Sequence, residues 1–198
     1  DFKSKNQDVK LRLRVSNTEG IVSMVENNVI DLGVVEGPVA NKNLLVEVCR
    51  HDDLVLIVPP NHELAGQSVV SAKDIMRFPF ICREEGSGTR EVTLEYLHAQ
   101  GVDKHIMNNC LELGSPEAVK GAVEAGMGLS IVSSASISKE LRLGSLVPVK
   151  LDPPISRDFS FVRQRQKFKV PAMEELLEFA RNYCQKAQAD ELVNKKPA

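Results

Sequence analysis

The sequence predicts an α/β protein, and three observations carry that class. Apolar, strand-like stretches alternate with amphipathic helical ones, giving a β-α-β pattern in the opening third. A second such pattern follows over residues 109–132. Loops that open helices, Ser16-Asn17-Thr18 and Glu85-Gly86-Ser87-Gly88-Thr89-Arg90, come directly after strands. In open α/β sheets such loops lie at the strand carboxyl ends, where ligands bind. With 198 residues the chain can form one large domain or two small ones. Two β-α-β halves joined by single strands predict two α/β lobes with a cleft between them.

Each element has a local reason. Residues 1–7 read as the tail of a helix. Val9, Leu11, Leu13 and Val15 alternate with Lys10, Arg12 and Arg14, the period-two pattern of a half-exposed strand. Asn17 or Thr18 caps a helix with Ile21, Val22, Val25 and Val29 on one face. Residues 30–35 form a buried-type strand, so the opening reads β-α-β and implies parallel pairing. Residues 44–49 and 53–58 are two further strands, stopped at Pro59-Pro60. Ser71 and Asp74 form a capping pair for a helix over 71–77.

Residues 80–82 lead as a strand into the glycine-serine loop, and its helix runs over 91–100 to a stop at Gly101. A strand over 109–113 precedes a helix with Ser115 at N-cap, Pro116 at its first position and Glu117 in its first turn. Residues 129–132 close the second β-α-β unit. Strands over 146–151 and 159–163 flank Asp152-Pro153-Pro154. A last helix from Pro171 carries Met173, Leu176, Leu177, Ala180 and Cys184 on one stripe. Residues 189–198 read as a frayed polar tail.

Bulk properties exclude several classes. Hydrophobic residues at 42% and charged residues at 26% describe an ordinary globular protein. A net charge of −2 argues against nucleic-acid binding by this segment, which needs a concentrated basic face. No apolar run has membrane-spanning length, and no signal peptide is visible. Cys49, Cys82, Cys110 and Cys184 lack C-x-x-C spacing, so reduced buried thiols are expected rather than a disulfide frame or zinc site. His51, His62, His98 and His105 show no metal-binding spacing, and there is no G-x-S-x-G elbow. No metal, cofactor or catalytic residue is predicted.

Taken in order, these motifs resemble the effector-binding (substrate-binding) domain of LysR-type transcriptional regulators. The matching pieces are Val9-Lys10-Leu11-Arg12-Leu13 with Ser16-Asn17-Thr18, then Asp31-Leu32-Gly33-Val34-Val35. The strand Leu54-Val55-Leu56-Ile57-Val58 continues through Pro59-Pro60-Asn61-His62. Gly86-Ser87-Gly88-Thr89-Arg90 and Ser115-Pro116-Glu117 follow, and Gly126-Met127-Gly128-Leu129 completes the set. The resemblance implies two Rossmann-like lobes of the type II periplasmic-binding-protein kind. Lobe I would be 1–58 plus 163–198 and lobe II 59–162, with a hinge near Val58 and Phe161. It further implies a cytoplasmic bacterial protein, no membrane, a small-molecule or anion effector in the inter-lobe cleft, and a homodimer or tetramer. DNA would be contacted only through an N-terminal winged helix-turn-helix, which this chain lacks. The first strand of the effector domain and its hydroxyl-bearing loop are also missing from the match, so the chain looks N-terminally truncated. A periplasmic solute-binding protein of the same fold is the alternative.

The expected effector site is Asn17, Thr18, Glu36, Ser87, Gly88, Thr89, Arg90 and Ser115. Ser87, Gly88 and Thr89 offer N–H and O–H donors at a helix N-terminus, a natural anion nest. Read only as structure, the same loop is a capped strand-to-helix turn. Arg90 can meet the ligand or pair with Glu84 or Glu91. Asn17 and Thr18 can bind or merely cap. Glu36 would repel an anion and orients a neighbouring donor or meets an amino group. Ser115 caps its helix, whether or not it touches ligand, and residues 139–142 are a solvated helix face.

Overall fold

The computed structural model describes residues 1–103, 110–165 and 170–194. Its elements run α1 (Phe2–Lys5), α2 (Thr18–Glu26), β1 (Gly33–Glu36), β2 (Leu44–Val58), β3 (Val69–Ser71), α3 (Ala72–Ile75), β4 (Ile81–Arg83) and α4 (Gly88–Ala99). After these come β5 (Leu111–Leu113), α5 (Pro116–Glu124), β6 (Ser130–Ser133), α6 (Ser138–Leu143), β7 (Val147–Asp152), β8 (Ile155–Gln164) and α7 (Pro171–Asn194). A 3-10 turn over Ser134–Ile137 precedes α6. The chain divides into two compact units, Asp1–His51 with Asp158–Ala198, and Asp52–Arg157. Both divisions fall inside strands, β2 and β8, where the expectation had placed them at 58 and 162.

In the first unit, β1 pairs antiparallel with β8, Gly33 opposite Val162 and Glu36 opposite Phe159. Helix α2 covers this pair with Ile21 and Val25, which join Val35, Leu44 and Val162 in one apolar cluster. Gly33 is required there, because a Cβ would stand 2.6 Å from Ile21 Cγ2. Met173 and Leu177 are the buried residues of the α7 stripe. Three expectations change in this unit. Residues 9–15 belong to no described strand, and Leu13 and Val15 are about nine-tenths exposed. Alternation supplies two faces, but a strand also needs a partner edge, and no described segment pairs with this one. The predicted parallel pairing therefore fails as well. Helix α7 runs to Asn194, through part of the expected tail, and 195–198 lie outside the described residues.

The second unit holds the larger core. Strand β2 pairs antiparallel with β6, Leu54 opposite Ser133, and with β7, Leu56 opposite Val149. Strand β3 lies parallel to β7, and β4 parallel to β5. A parallel bridge joins Phe80 to Leu129 beside β4. Gly128 makes this approach possible, since a Cβ there would stand 2.6 Å from the Pro79 carbonyl oxygen. Leu56, Ile57, Val58, Leu64, Ile75 and Ile81 are fully or almost fully buried.

Residues 44–58 form one strand, not two. The polar run Arg50-His51-Asp52 reads as a break, yet Asp52 is buried and accepts hydrogen bonds from Ser133 and Arg157. Polar residues with partners can occupy a strand interior. Two other expectations also change. Glu140 in α6 is buried and pairs with Lys120 at 2.9 Å, so residues 139–142 are not a uniformly solvated face. Cys82 and Cys110 form a disulfide with a Cα–Cα distance of 6.2 Å. Parallel pairing of β4 with β5 joins cysteines that 28 residues separate in sequence, which spacing rules cannot register.

Candidate functional site

The site is built where β4 gives way to α4. Gly86 takes φ +79°, a left-handed turn that glycine adopts without a Cβ clash. The Ser87 N–H donates to the Glu84 carbonyl at 3.2 Å, and the first helical bond runs from Glu91 N–H to the Ser87 carbonyl at 3.1 Å. The N–H groups of Gly88, Thr89 and Arg90 form the first turn, where no intrahelical acceptor exists. The 12 residues of α4 give this end a full helix dipole.

The side chains there are unusual. Ser87 occupies the N-cap position, but its hydroxyl makes no capping bond. The residue is 1% exposed and its Oγ has no hydrogen-bond partner. A buried hydroxyl left unmatched costs about 1–3 kcal/mol. Thr89 Oγ1 accepts a hydrogen bond of 2.6 Å from Arg157 Nη1. Arg157 Nε donates to Asp52 Oδ2 at 3.0 Å, and Ser133 Oγ donates to Asp52 Oδ1 at 2.7 Å. All four residues are buried.

The arginines of the loop are engaged internally. Arg83 makes a two-pronged pair with Glu84 at 2.7 and 2.9 Å. Arg90 donates to the Arg83 carbonyl at 2.8 Å and pairs with Glu112 on β5. Arg90 Nη1 also lies 3.8 Å from Cys82 Sγ. The loop's uncommitted donors are thus first-turn peptide N–H groups and the Ser87 hydroxyl, with Arg83 and Arg90 balanced by carboxylates.

The other predicted residues fall elsewhere. Asn17 caps α2 through a 2.9 Å hydrogen bond that its Oδ1 accepts from Gly20 N–H. Thr18, 9% exposed, has a buried Oγ1 without a partner. Glu36 ends β1, half-buried, and takes part in an interaction of its own. Ser115 caps α5 by accepting from Ala118 N–H at 3.1 Å. The second unit thus brings Ser87, Gly88, Thr89 and Arg90 together, and the first holds Asn17, Thr18 and Glu36.

With this geometry in view, comparison with known proteins is decisive. The family model for the LysR substrate binding domain matches residues 1–185. The chain belongs to that family. It is 34% identical over 92% of its length to the RuBisCO operon transcriptional regulator of Allochromatium vinosum, covering 62% of that protein. It is 33% identical over 85% of its length to the uncharacterized HTH-type regulator YeiE of Escherichia coli, covering 57% of it. The chain therefore spans less than two thirds of these regulators. Among solved structures, the Synechocystis CcmR regulatory domain in complex with 2-PG aligns with a TM-score of 0.83 and 30% identity, over 92% of this chain and 87% of that one. The effector-binding domain of QuiR in complex with shikimate aligns at 0.82 and 20% identity, over 93% and 87%, a likeness of fold. This LysR substrate-binding domain therefore has the type II periplasmic-binding-protein-like α/β fold that the motifs implied.

Sequence reading missed Asp52, Ser133 and Arg157. Asp52 and Arg157 lie 105 residues apart, on β2 and β8. Each strand carries further charges, Glu47, Arg50 and Asp53 in β2 and Asp158 and Arg163 in β8, so nothing local singles out the buried pair.

Proposed function

We propose that this chain is the effector-sensing part of a LysR-type transcriptional regulator, and that its effector is a small anion held at the α4 N-terminus. The observation that carries the reading is the Ser87 hydroxyl, buried and unpartnered at the mouth of a 12-residue helix. Gly88 and Thr89 supply peptide N–H groups beside it, and an oxyanion matches this donor set. Asn17, Thr18, Glu36, Arg90 and Ser115 are secondary candidates. Of these, Thr18 is favoured by its unpartnered buried oxygen.

Binding alters transcription through the remainder of the regulator, which contacts DNA, and the protein works in the cytoplasm as a homodimer or tetramer. The relatives named as transcriptional regulators favour this reading over a transporter's solute-binding protein. No helix among the described residues is long and apolar enough to cross a membrane. Binding rather than turnover is the role that the relatives named as transcriptional regulators favour.

Thermal unfolding of the chain with sulfate, phosphate, small carboxylates and 2-PG tests the site. At least one should raise the melting temperature with a saturable dependence. Ser87→Ala combined with Thr89→Ala should abolish that rise, and an unchanged rise would move the site elsewhere.

A further inference from the structure

We propose that Cys49 and Cys184 form a dithiol site that closes to a disulfide between β2 and α7 by exchange with a small disulfide. Both cysteines lie in the first unit, whereas the α4 loop belongs to the second, so this site is independent of the effector reading. Register brings the two sulfurs together. Arg181 on α7 makes a two-pronged pair with Glu47 on β2 at 2.6 and 2.5 Å, which pins the helix against the strand. From that pin, Cys49 lies two residues along β2 on the same strand face. Cys184 lies three residues along α7 on the same helix face. The two advances, about 6.7 Å along the strand and about 4.5 Å along the helix, are similar. Both cysteines are half-buried, while their neighbours Val48 and Tyr183 turn outwards, 53% and 64% exposed. The Cys49 thiol stands in hydrogen-bond contact with Cys184. Neither is in a disulfide, unlike Cys82 and Cys110.

The chemistry assigns each sulfur a part. Burial, then the charge and hydrogen bond of Cys184, push the Cys49 thiol up to about 12. Cys49 therefore keeps its proton and donates it in a hydrogen bond to the Cys184 sulfur. The thiolate is the nucleophile in exchange, so Cys184 is the attacking sulfur and Cys49 the resolving one. In the first step the Cys184 thiolate attacks one sulfur of the small disulfide. That S–S bond breaks, and one small thiolate leaves and takes up a proton. The mixed disulfide on Cys184 carries no charge, so the electrostatic hold on the Cys49 proton lapses. Cys49 then loses that proton, and its thiolate attacks the Cys184 sulfur. The second small thiolate leaves and is protonated in turn. Two electrons pass from the protein thiols to the small disulfide, which ends as two thiols. The product is a covalent tie beside the part-exposed Glu47–Arg181 ion pair, a contact that solvent weakens.

The test treats the whole folded chain with excess oxidised glutathione, quenches with acid, and reads intact mass and mapped peptides. Wild type should lose both free thiols, retain no glutathione, and yield a Cys49–Cys184 cross-linked peptide within one chain. Peptide mapping separates this bridge from Cys82–Cys110. Cys49→Ser removes only the resolving sulfur, so it should instead hold one glutathione on Cys184 as a stable mixed disulfide. Wild type that keeps both thiols free, or retains a glutathione on each, overturns the proposal. A cross-link found only between two chains overturns it too. An unmodified Cys184 in a folded Cys49→Ser chain overturns its role as the attacking sulfur. The cross-link itself is read on wild type, so it is decided even if that variant fails to fold.

Discussion

Ser87 and Ser115 occupy matching places in the second unit, each the N-cap of a helix that follows a short strand. Their hydroxyls have opposite fates. Ser115 turns its oxygen onto Ala118 N–H and completes a local cap, half-exposed and self-sufficient. Ser87 is buried, makes no cap, and keeps an empty oxygen beside the first-turn N–H groups of Gly88, Thr89 and Arg90. The contrast shows that a serine at a helix start can complete its own cap or be left unpartnered, according to what the fold packs around it. What surrounds each serine differs accordingly. Beside α4 stands the Arg157–Asp52 pair, whereas α5 is held by Lys120 on buried Glu140.

The largest expected effect comes from removing the cation behind the α4 terminus. Arg157→Met leaves Asp52 buried without its charge partner and should cost about 3–5 kcal/mol in urea unfolding. Pairing it with Asp52→Leu should recover much of that loss. A cost below about 1 kcal/mol would show that Asp52 reaches water and that the network does not distinguish the two helix starts.

The serines themselves should give crossed results. Ser115→Ala removes a working cap and should cost about 1 kcal/mol of stability, with anion binding unchanged. Ser87→Ala removes an unpartnered buried hydroxyl, so stability should stay within about 0.5 kcal/mol of wild type or rise. Its anion affinity should fall about tenfold or more. Equal stability losses in the two variants would erase the distinction.

The smallest effect concerns acid. The Lys120 ammonium, hydrogen-bonded to Glu140, holds that carboxyl below the ordinary 4.5, although burial opposes the shift. A depressed folded pKa stabilises above the unfolded value and loses that contribution as pH falls through the folded one. The α5–α6 contact should therefore loosen progressively below about pH 4.5. Amide exchange in α5 should rise there relative to α4, and Lys120→Met should abolish the differential.

Much of this was legible in the residues. Capping chemistry placed α2, α3 and α5 correctly, because Asn17, the Ser71 and Asp74 pair, and Ser115 act within one helical turn. Helical stripes found the buried faces of α7 and of α2 at Ile21 and Val25, because their period is written locally, though Val29 lies past the end of α2 and is exposed. Strand calls fared worse wherever pairing decided. Residues 9–15 alternate well yet have no described partner, and 44–58 stays continuous because Asp52 finds Ser133 and Arg157 far along the chain.

Within the glycine-serine loop the same division holds. By itself the sequence determined an α/β chain with a glycine-serine turn opening a helix, since glycine torsion, N-terminal peptide donors and apolar periodicity are local properties. Only the tertiary structure decided that Ser87 would be buried without a partner while Ser115 capped its own helix. It alone set Arg157 against Thr89 and joined Cys82 to Cys110. The physical reason is range. Backbone preference acts over three or four residues, whereas burial and hydrogen-bond direction depend on which distant strands become neighbours.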